Sequence, residues 1–354
     1  MNNTDEITLG CSLSLTGRFA ERGAPWYANA YTLWVKDVNA RGGILGKPVR
    51  LVTYDDESNP EKAAANYRRL IDENGLDVLL GPCHTALMGA VTPIAEASHA
   101  LLLQGTHGSY ADFQKELKWQ FLCWPGSDFD YAKPYLNLIA GKKSTTALVY
   151  TDGRIGQSVA RGIRHYAAPL GIDIVFDEKI GAEPYDYAAL MARVKASGAE
   201  ALLIGLDHGR NDDPRVSCLK AAHEAGIAGN TIWHSDFPVA SDNKLGPANQ
   251  GVHMRITWAP EIPDIRSRKF ADDYQAAFGE AAEFHCAGGY ACGEVLAQAA
   301  ASTGTWNAEA LRGAILRETF TTVCGKLKFN ETGLPESMLY LGVWQNGKLG
   351  IVQA

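Results

Sequence analysis

The sequence predicts an α/β protein made of two doubly wound parallel-sheet lobes. Short apolar runs alternate with segments of helical periodicity from Ile7 to Trp233, and the loops between them are mostly short. Such alternation is typical of parallel sheets with right-handed crossovers. The pattern restarts near Cys123, which indicates two similar halves with a cleft between their strand ends. The 354 residues, 46% of them hydrophobic, are sufficient for two cores.

Strong end signals mark the elements of the first half. Gly42-Gly43 ends the first helix, and Ser58 or Asn59 can cap the helix that starts at Pro60. Two later apolar runs, starting at Val78 and Leu101, stop at glycine, as buried parallel strands do. The elements predicted in order are strand 7–11, helix 22–39, strand 48–54, a helix from 60, and the strands at 78 and 101.

The second half repeats the alternation, and the end of the chain differs from it. Asn346-Gly347 lies between two apolar runs, which predicts a hairpin and therefore an antiparallel tail. The small-residue-rich helix at 287–301 must pack closely against its neighbours. The predicted elements are a helix from 127, strand 145–150, helix 155–168, strand 172–179, helix 187–196, strand 201–204, helix 216–225, strands 231–233 and 252–258, and helices 267–278, 287–301 and 307–317.

Composition excludes several classes of function. The formal charge is -7 and the basic residues are scattered, so we expect no nucleic-acid partner. No apolar run approaches the roughly 18 to 20 residues that a membrane span needs. The chain has 7 cysteines without any C-x-x-C pair, which excludes the usual zinc and thioredoxin spacings. Cys11, Cys83 and Cys123 are predicted to be small buried hydrophobes, and a Cys11–Cys83 disulfide is the less favoured alternative.

The candidate site lies where the runs at Val78 and Leu101 end. Ligands bind at the carboxyl ends of strands in open α/β sheets, where helix starts offer unpaired N–H groups. Thr85 and Thr106, with neighbouring amides, are therefore predicted to hold a small anion, most simply a carboxylate. The alternative is that His84 and Thr85 are only helix caps and that Thr106 belongs to a turn.

Several motifs together resemble the type I periplasmic solute-binding proteins of ABC importers, specifically the leucine/isoleucine/valine and amide branch. The resemblance covers essentially the whole chain, and its specificity lies in the order and spacing of the motifs. The motifs are Leu15-Thr16-Gly17 with Gly23, residues 37–46 (DVNARGGILG), residues 55–60 (DDESNP), Gly81-Pro82, Thr106, Tyr185-Asp186-Tyr187 and the tail from Gly325.

The resemblance implies two lobes that close on a ligand, an ABC permease as partner, and a monomer. It places an N-terminal lobe at 1–123 plus 254–327 and a C-terminal lobe at 124–253 plus 328–354. The three hinge crossings would lie near 123–125, 251–257 and 326–333. No basic-then-apolar leader precedes Ile7. Since the family is exported, we expect a leader to have been replaced by Met1 and the protein to be periplasmic.

The resemblance also implies which residues contact the ligand. Its ligand-holding pair, more usually serines, falls on His84 and Thr85, and Arg22 replaces a common aromatic residue. The strand-end positions of the second lobe fall near 150–154, 207–208 and 234–236. The predicted contacts are Arg22, Cys83, His84, Thr85, Thr106, His107, Gly108, Tyr150, Asp207, His208 and Asp236.

These residues suit an amino acid, because Thr85 and Thr106 would hold its carboxylate and Asp207 or Asp236 its ammonium group. Asp236 is alternatively a helix cap. If Arg22 faces the ligand, a dicarboxylate or an aromatic acid is the alternative ligand. An aromatic wall would come from the following residues: Trp26, Trp124, Phe129, Tyr150 and Phe237.

We expect neither a metal, a cofactor nor enzymatic activity. The strand-end histidines, which are His84, His107, His208 and His234, lack the i, i+4 spacing of metal ligands. The chain has no Gly-x-Ser-x-Gly elbow and no Walker loop, and residues 205–209 lack a dinucleotide fingerprint. A binding protein is therefore predicted, and a cytoplasmic ligand sensor of the same fold is the alternative class.

Overall fold

The computed structural model describes residues 6–21, 24–105, 110–114, 117–181, 184–206, 214–235, 245–262, 264–336 and 338–352. The chain divides into two compact units. Unit 1 comprises residues 1–125 and 258–338, and unit 2 comprises residues 126–257 and 339–354. The chain therefore changes unit three times.

The first segment of unit 1 is a parallel α/β sheet. Its elements are β1 (Ile7–Leu13), α1 (Ala24–Ala40), β2 (Val49–Asp55), α2 (Pro60–Asp72), β3 (Val78–Leu80), α3 (Thr85–Ala97), β4 (Leu101–Gln104) and β5 (Gln120–Leu122). The strand order is β2-β1-β3-β4-β5, and all neighbours are parallel. Leu9, Leu79 and Leu102 are fully buried, as expected for strands covered on both faces.

Unit 2 contains a second sheet of the same kind. Its elements, in chain order, are α4 (Lys133–Ile139), β6 (Thr145–Thr151), α5 (Arg154–Ala167), β7 (Asp173–Ile180), α6 (Tyr187–Ala196), β8 (Ala201–Gly205), α7 (Pro214–Glu224), β9 (Ile232–His234) and β10 (His253–Ile256). One core lies under α4 and α5, and the other lies under α6 and α7. The helix predicted from Ser127 begins only at Lys133, because residues 128–130 form a separate 3-10 turn.

The rest of the chain completes both units. Its elements are α8 (Ile265–Phe278), α9 (Phe284–Thr303), α10 (Ala308–Arg317), β11 (Thr319–Thr322) and β12 (Gly325–Lys328) in unit 1, and β13 (Tyr340–Gln345) and β14 (Lys348–Val352) in unit 2. The seven-stranded sheet of unit 2 has the order β14-β13-β10-β9-β8-β6-β7. In it, β13 pairs antiparallel with both β10 and β14, and the other described pairs are parallel. The β13–β14 pair confirms the predicted hairpin at the tail.

The small residues of α9 allow it to pack closely on α1, as predicted. Gly293 lies under the ring of Trp34, where an added Cβ would be 2.0 Å from a ring carbon. Gly288 packs against Gly105, which follows β4, and a Cβ added to Gly288 would lie 1.8 Å from the Gly105 carbonyl oxygen. The backbone of α9 therefore touches the end of the sheet.

The segment that follows β12 lies in unit 1, whereas residues 328–354 were predicted to belong to the C-terminal lobe. Leu122 donates a backbone hydrogen bond to Gly333, and Met338 donates one to Pro125, both at 2.9 Å. The Phe329 ring packs edge-on against the Phe121 ring, with centroids 5.6 Å apart. These contacts keep the chain on unit 1 until Met338, so the third change of unit comes later than the predicted crossing at 326–333.

Candidate functional site

Hydrogen bonds hold the turn between β3 and α3 at the carboxyl end of β3 in the unit 1 sheet. The Tyr67 hydroxyl donates to the Leu80 carbonyl at 2.5 Å, and the Tyr31 hydroxyl donates to the Gly81 carbonyl at 3.2 Å. Cys83 is 1% exposed, and burial raises the pKa of its thiol. The predicted contact Cys83 therefore has its side chain in the core.

His84 caps α3 with its own side chain. Its backbone is extended, and Nδ1 accepts a hydrogen bond of 3.1 Å from the Ala86 amide. His84 is therefore a helix cap, and its contact with a ligand stays a prediction. Thr85 is the first residue of α3 and is half-buried, so its hydroxyl and the first amides of the helix lie at the same end.

An aromatic stack lies over His84. The Phe19 ring is parallel to the imidazole, with centroids 3.8 Å apart and an interplanar angle of 11°. The guanidinium of Arg18 lies 4.5 Å from the centroid of Phe19. Burial, and then the charge of Arg18, lower the pKa of His84.

Buried hydrogen bonds hold the loop that carries Phe19. The Ser14 hydroxyl donates to Asp56 Oδ1 at 2.6 Å, and the Ser58 hydroxyl donates to the Thr16 carbonyl at 2.8 Å. The Phe19 amide in turn donates to Ser58 Oγ at 3.0 Å. The two sequence motifs at 15–17 and 55–60 are therefore in direct contact, and together they position the stack.

Gly17 is required in this loop. Its φ is +84°, and an added Cβ would lie 2.5 Å from the Glu57 carbonyl oxygen. A depression of about 520 Å³ opens beside the loop, lined by Arg18 and residues 57–61. Because Glu57 and Glu61 line it together with Arg18, it lacks the uniformly positive lining that suits an anion.

A second group of aromatic residues, here called the aromatic cluster, lies where α1 and α9 begin. Its members are Trp26, Trp124, Phe284 and His285. The rings of Trp26 and His285 stack with centroids 5.0 Å apart. The ring centroids of Phe284 and His285 are 3.8 Å apart, and Trp124 packs edge-on against Phe284 with centroids 5.3 Å apart. Trp26 is only half-buried, whereas the other three are buried. Trp26 and Trp124 were predicted as wall candidates, and that role stays a prediction. Phe284 and His285 were not predicted beside them, because they precede the helix expected at 287–301.

In unit 2, Tyr150 packs on the helix side of its sheet. Its ring belongs to the layer under α4 and α5, and the guanidinium of Arg164 lies 5.1 Å from its centroid. Arg164 forms an ion pair with Asp177 at 2.7 Å, and the hydrogen bond to Asp177 raises the pKa of Arg164. The predicted role of Tyr150 as a ligand contact stays a prediction.

The ends of β9 and β10 carry buried basic groups. Arg255 donates to the Ser235 carbonyl at 2.8 Å and lies 3.6 Å from the ring centroid of Tyr131. Burial lowers the pKa of His234 well below its usual value, and the charges of Arg215 and Arg255 act in the same direction. His234 is the last residue of β9, as predicted, but the sequence pattern gave no sign that two arginines would be buried beside it.

All of the other predicted contacts lie outside the described residues and stay predictions. They are Arg22, Thr106, His107, Gly108, Asp207, His208 and Asp236, together with the wall candidate Phe237. Among the residues with described positions, no group of three or more His, Cys, Asp or Glu side chains could hold a metal ion. Within the same ranges, none of the helices is long and apolar enough to span a membrane.

Comparison with known proteins identifies the family. A family model described as periplasmic binding protein matches residues 6–348. A Leu/Ile/Val-binding protein of Rhizobium johnstonii is 26% identical, over 97% of this chain and 93% of its own length.

Two solved structures share the fold. One is an ABC transporter substrate-binding protein of Desulfitobacterium hafniense in complex with Leu, with a TM-score of 0.80, 21% identity and coverage of 98% of this chain and 100% of that one. The other is a solute-binding protein of Rhodopseudomonas palustris in complex with 3,4-dihydroxybenzoic acid, with a TM-score of 0.75, 18% identity and coverage of 99% and 97%. Because the family model spans nearly the whole sequence, this chain belongs to the periplasmic binding protein family and has its type I fold.

Proposed function

We propose that the protein is the solute-binding component of an ABC transporter. In this proposal it captures a small carboxylate-bearing solute, an amino acid or a close analogue, in the periplasm and delivers it to the permease. The observation that carries the proposal is the family match over residues 6–348, with a Leu/Ile/Val-binding relative aligned over 97% of the chain.

The geometry at the start of α3 supports a carboxylate. Thr85 offers a hydroxyl next to the first amides of a 13-residue helix, whose N-terminus has a partial positive charge. His84 and Phe19 give this helix start a rigid neighbour. No catalytic group is needed, since the ligand acts only by binding one form of the protein better than another.

A thermal-shift panel of L-amino acids and aromatic acids tests the proposal. Only a ligand that binds the folded state raises the midpoint of unfolding. Thr85→Ala should weaken binding of the best ligand, by roughly tenfold for a lost hydrogen bond to a charged group. Thr305→Ala is the matched control, since Thr305 is also half-buried but follows the far end of α9. Equal affinity in the wild type and Thr85→Ala would contradict the site.

An aromatic acid is the second candidate ligand. The aromatic cluster favours it, because the half-buried Trp26 ring offers a flat apolar face at the start of α1. A fold neighbour is in complex with 3,4-dihydroxybenzoic acid. In the same panel, benzoate and dihydroxybenzoate should then raise the midpoint more than leucine does, and Trp26→Ala should reduce that shift selectively.

The periplasmic location also stays a proposal, with a cytoplasmic sensor as the alternative. Fractionation of cells that express the native gene separates the two. Recovery with the periplasmic fraction supports transport, and retention with the cytoplasm supports sensing.

A further inference from the structure

The imidazole of His84 is fixed from two directions. Its Nδ1 accepts from the Ala86 amide at 3.1 Å, and Phe19 stacks on its face at 3.8 Å. A ring nitrogen that accepts a hydrogen bond carries no proton, so the neutral ring has its proton on Nε2. The cap therefore exists only while Nδ1 is unprotonated.

The surroundings keep the ring neutral in the ligand-free protein. Arg18, on the loop after β1, acts on His84 through its charge, which disfavours a second cation. The carboxylates of Glu57 and Glu61 line a depression together with Arg18. Burial raises the pKa of the Cys83 thiol and of the Asp56 carboxyl, which follow β3 and β2, the strands on either side of β1 in the same sheet.

A carboxylate at the start of α3 would compete with His84 for the Ala86 amide. An oxygen that approaches this N–H meets the Nδ1 lone pair, which is also an acceptor. A proton on Nδ1 turns that repulsion into a charge-assisted hydrogen bond, which is roughly twice as strong as a neutral one. The negative ligand would at the same time offset the charge of Arg18.

We propose that His84 is a specificity-determining residue that couples carboxylate binding at the start of α3 to the uptake of one proton by its imidazole. This inference rests on the proposed function, because it places the ligand carboxylate at this helix start. Affinity for acids should therefore depend on pH in a way that a serine at position 84 would remove.

Calorimetric titration at pH 6, 7 and 8 tests the proposal, with L-leucine as probe and benzoate as the second probe. The expected result is a Kd that rises with pH, by up to about tenfold per pH unit for one linked proton. The binding heat should also differ between phosphate and Tris buffers, since one proton is taken from the buffer. His84→Asn should abolish both effects, because Asn caps a helix without titrating.

His99→Asn is the matched control and should keep the pH dependence. His99 follows α3, is exposed and has a φ of +52°, a conformation that Asn tolerates well. Binding with a pH-independent Kd, or the same slope in His84→Asn, would overturn the inference and leave the proposed function intact. Absence of binding by every acid of the panel at all three pH values would overturn both.

A ligand-free measurement provides an independent check. Nitrogen NMR of the histidine rings at pH 7 should show His84 Nδ1 as an unprotonated acceptor, and the Ala86 amide resonance should move when His84 titrates. A protonated Nδ1 at pH 7, or an Ala86 amide that ignores the titration, contradicts the mechanism.

Discussion

The Ser14 hydroxyl donates a hydrogen bond of 2.6 Å to Asp56 Oδ1, and both side chains are fully buried. This bond joins the end of β1, where the loop of Phe19 begins, to the segment after β2. Burial raises the pKa of Asp56, while the hydrogen bond from Ser14 works in the opposite direction.

Ser14→Ala should therefore destabilise the protein by about 1.5 to 3 kcal/mol, the usual range for a hydrogen bond to a charged group. Urea unfolding measures the change. Ser98→Ala is the control, since Ser98 is exposed after α3 and should change stability by less than about 0.5 kcal/mol. A loss no larger than that of the control would mean that the bond is not formed.

Gly293→Ala should destabilise unit 1, because the new methyl group would lie 2.0 Å from the Trp34 ring. Overpacking of this kind costs about 1 to 3 kcal/mol. Gly89→Ala, in the exposed middle of α3, has nothing within 4 Å of the new methyl group. That control should instead gain about 0.5 to 1 kcal/mol, so the two substitutions should move the urea midpoint in opposite directions.

Glu294 should make stability fall as the pH rises. Burial raises the pKa of its carboxyl to about 8. The hydrogen bond of 2.7 Å that the carboxylate accepts from the Val323 amide acts in the opposite direction and lowers that pKa, but by less. The folded state therefore binds a proton that the unfolded chain has released above its ordinary pKa of about 4.5. Stability is fully present below that value and is lost up to pH 8, with a slope of at most about 1.4 kcal/mol per pH unit.

Glu294→Gln keeps an acceptor for Val323 and removes the titration. Urea unfolding of both proteins at pH 5.5, 7 and 8.5 gives the comparison. The difference between wild type and variant should shift steadily in favour of the variant with rising pH, and a constant difference would contradict a raised pKa at Glu294.

The cysteine thiols should be unreactive in the folded protein. All of them are buried, and burial raises the pKa of the Cys11 and Cys286 thiols to about 12. Since the thiolate is the reactive form, a chromogenic disulfide reagent should react slowly until denaturant is added, and then with all 7 thiols. Fewer thiols in the denatured protein would reveal a disulfide, such as the Cys11–Cys83 alternative.

Sequence reasoning located most elements because strong local signals agreed with the packing. The helix predicted at 187–196 has the same bounds in the structure, and the hairpin at Asn346-Gly347 forms where the turn residues indicated. Asn59 caps α2 through hydrogen bonds from the Glu61 and Lys62 amides, which resolves the choice between Ser58 and Asn59. Each of these features depends on a few neighbouring residues.

The same reasoning failed where distant residues decide the outcome. The segment at 328–338 fits either unit by local pattern, and its contacts with Phe121 and Pro125 assign it to unit 1. Strand-end position alone did not reveal that Tyr150 packs towards Arg164. Side-chain direction and long-range partners are not encoded in local spacing.

The interrupted course of unit 1 has a consequence during synthesis on the ribosome. The α1 side chains Tyr31 and Trp34 are covered by Gly289 and Gly293 of α9, but residues 126–257 must be made before that helix emerges. At roughly 5 to 20 residues per second this leaves a large aromatic surface uncovered for on the order of ten seconds. The nascent chain should therefore need a chaperone during that interval, and lowering chaperone levels in the expressing cell should reduce the yield of intact protein.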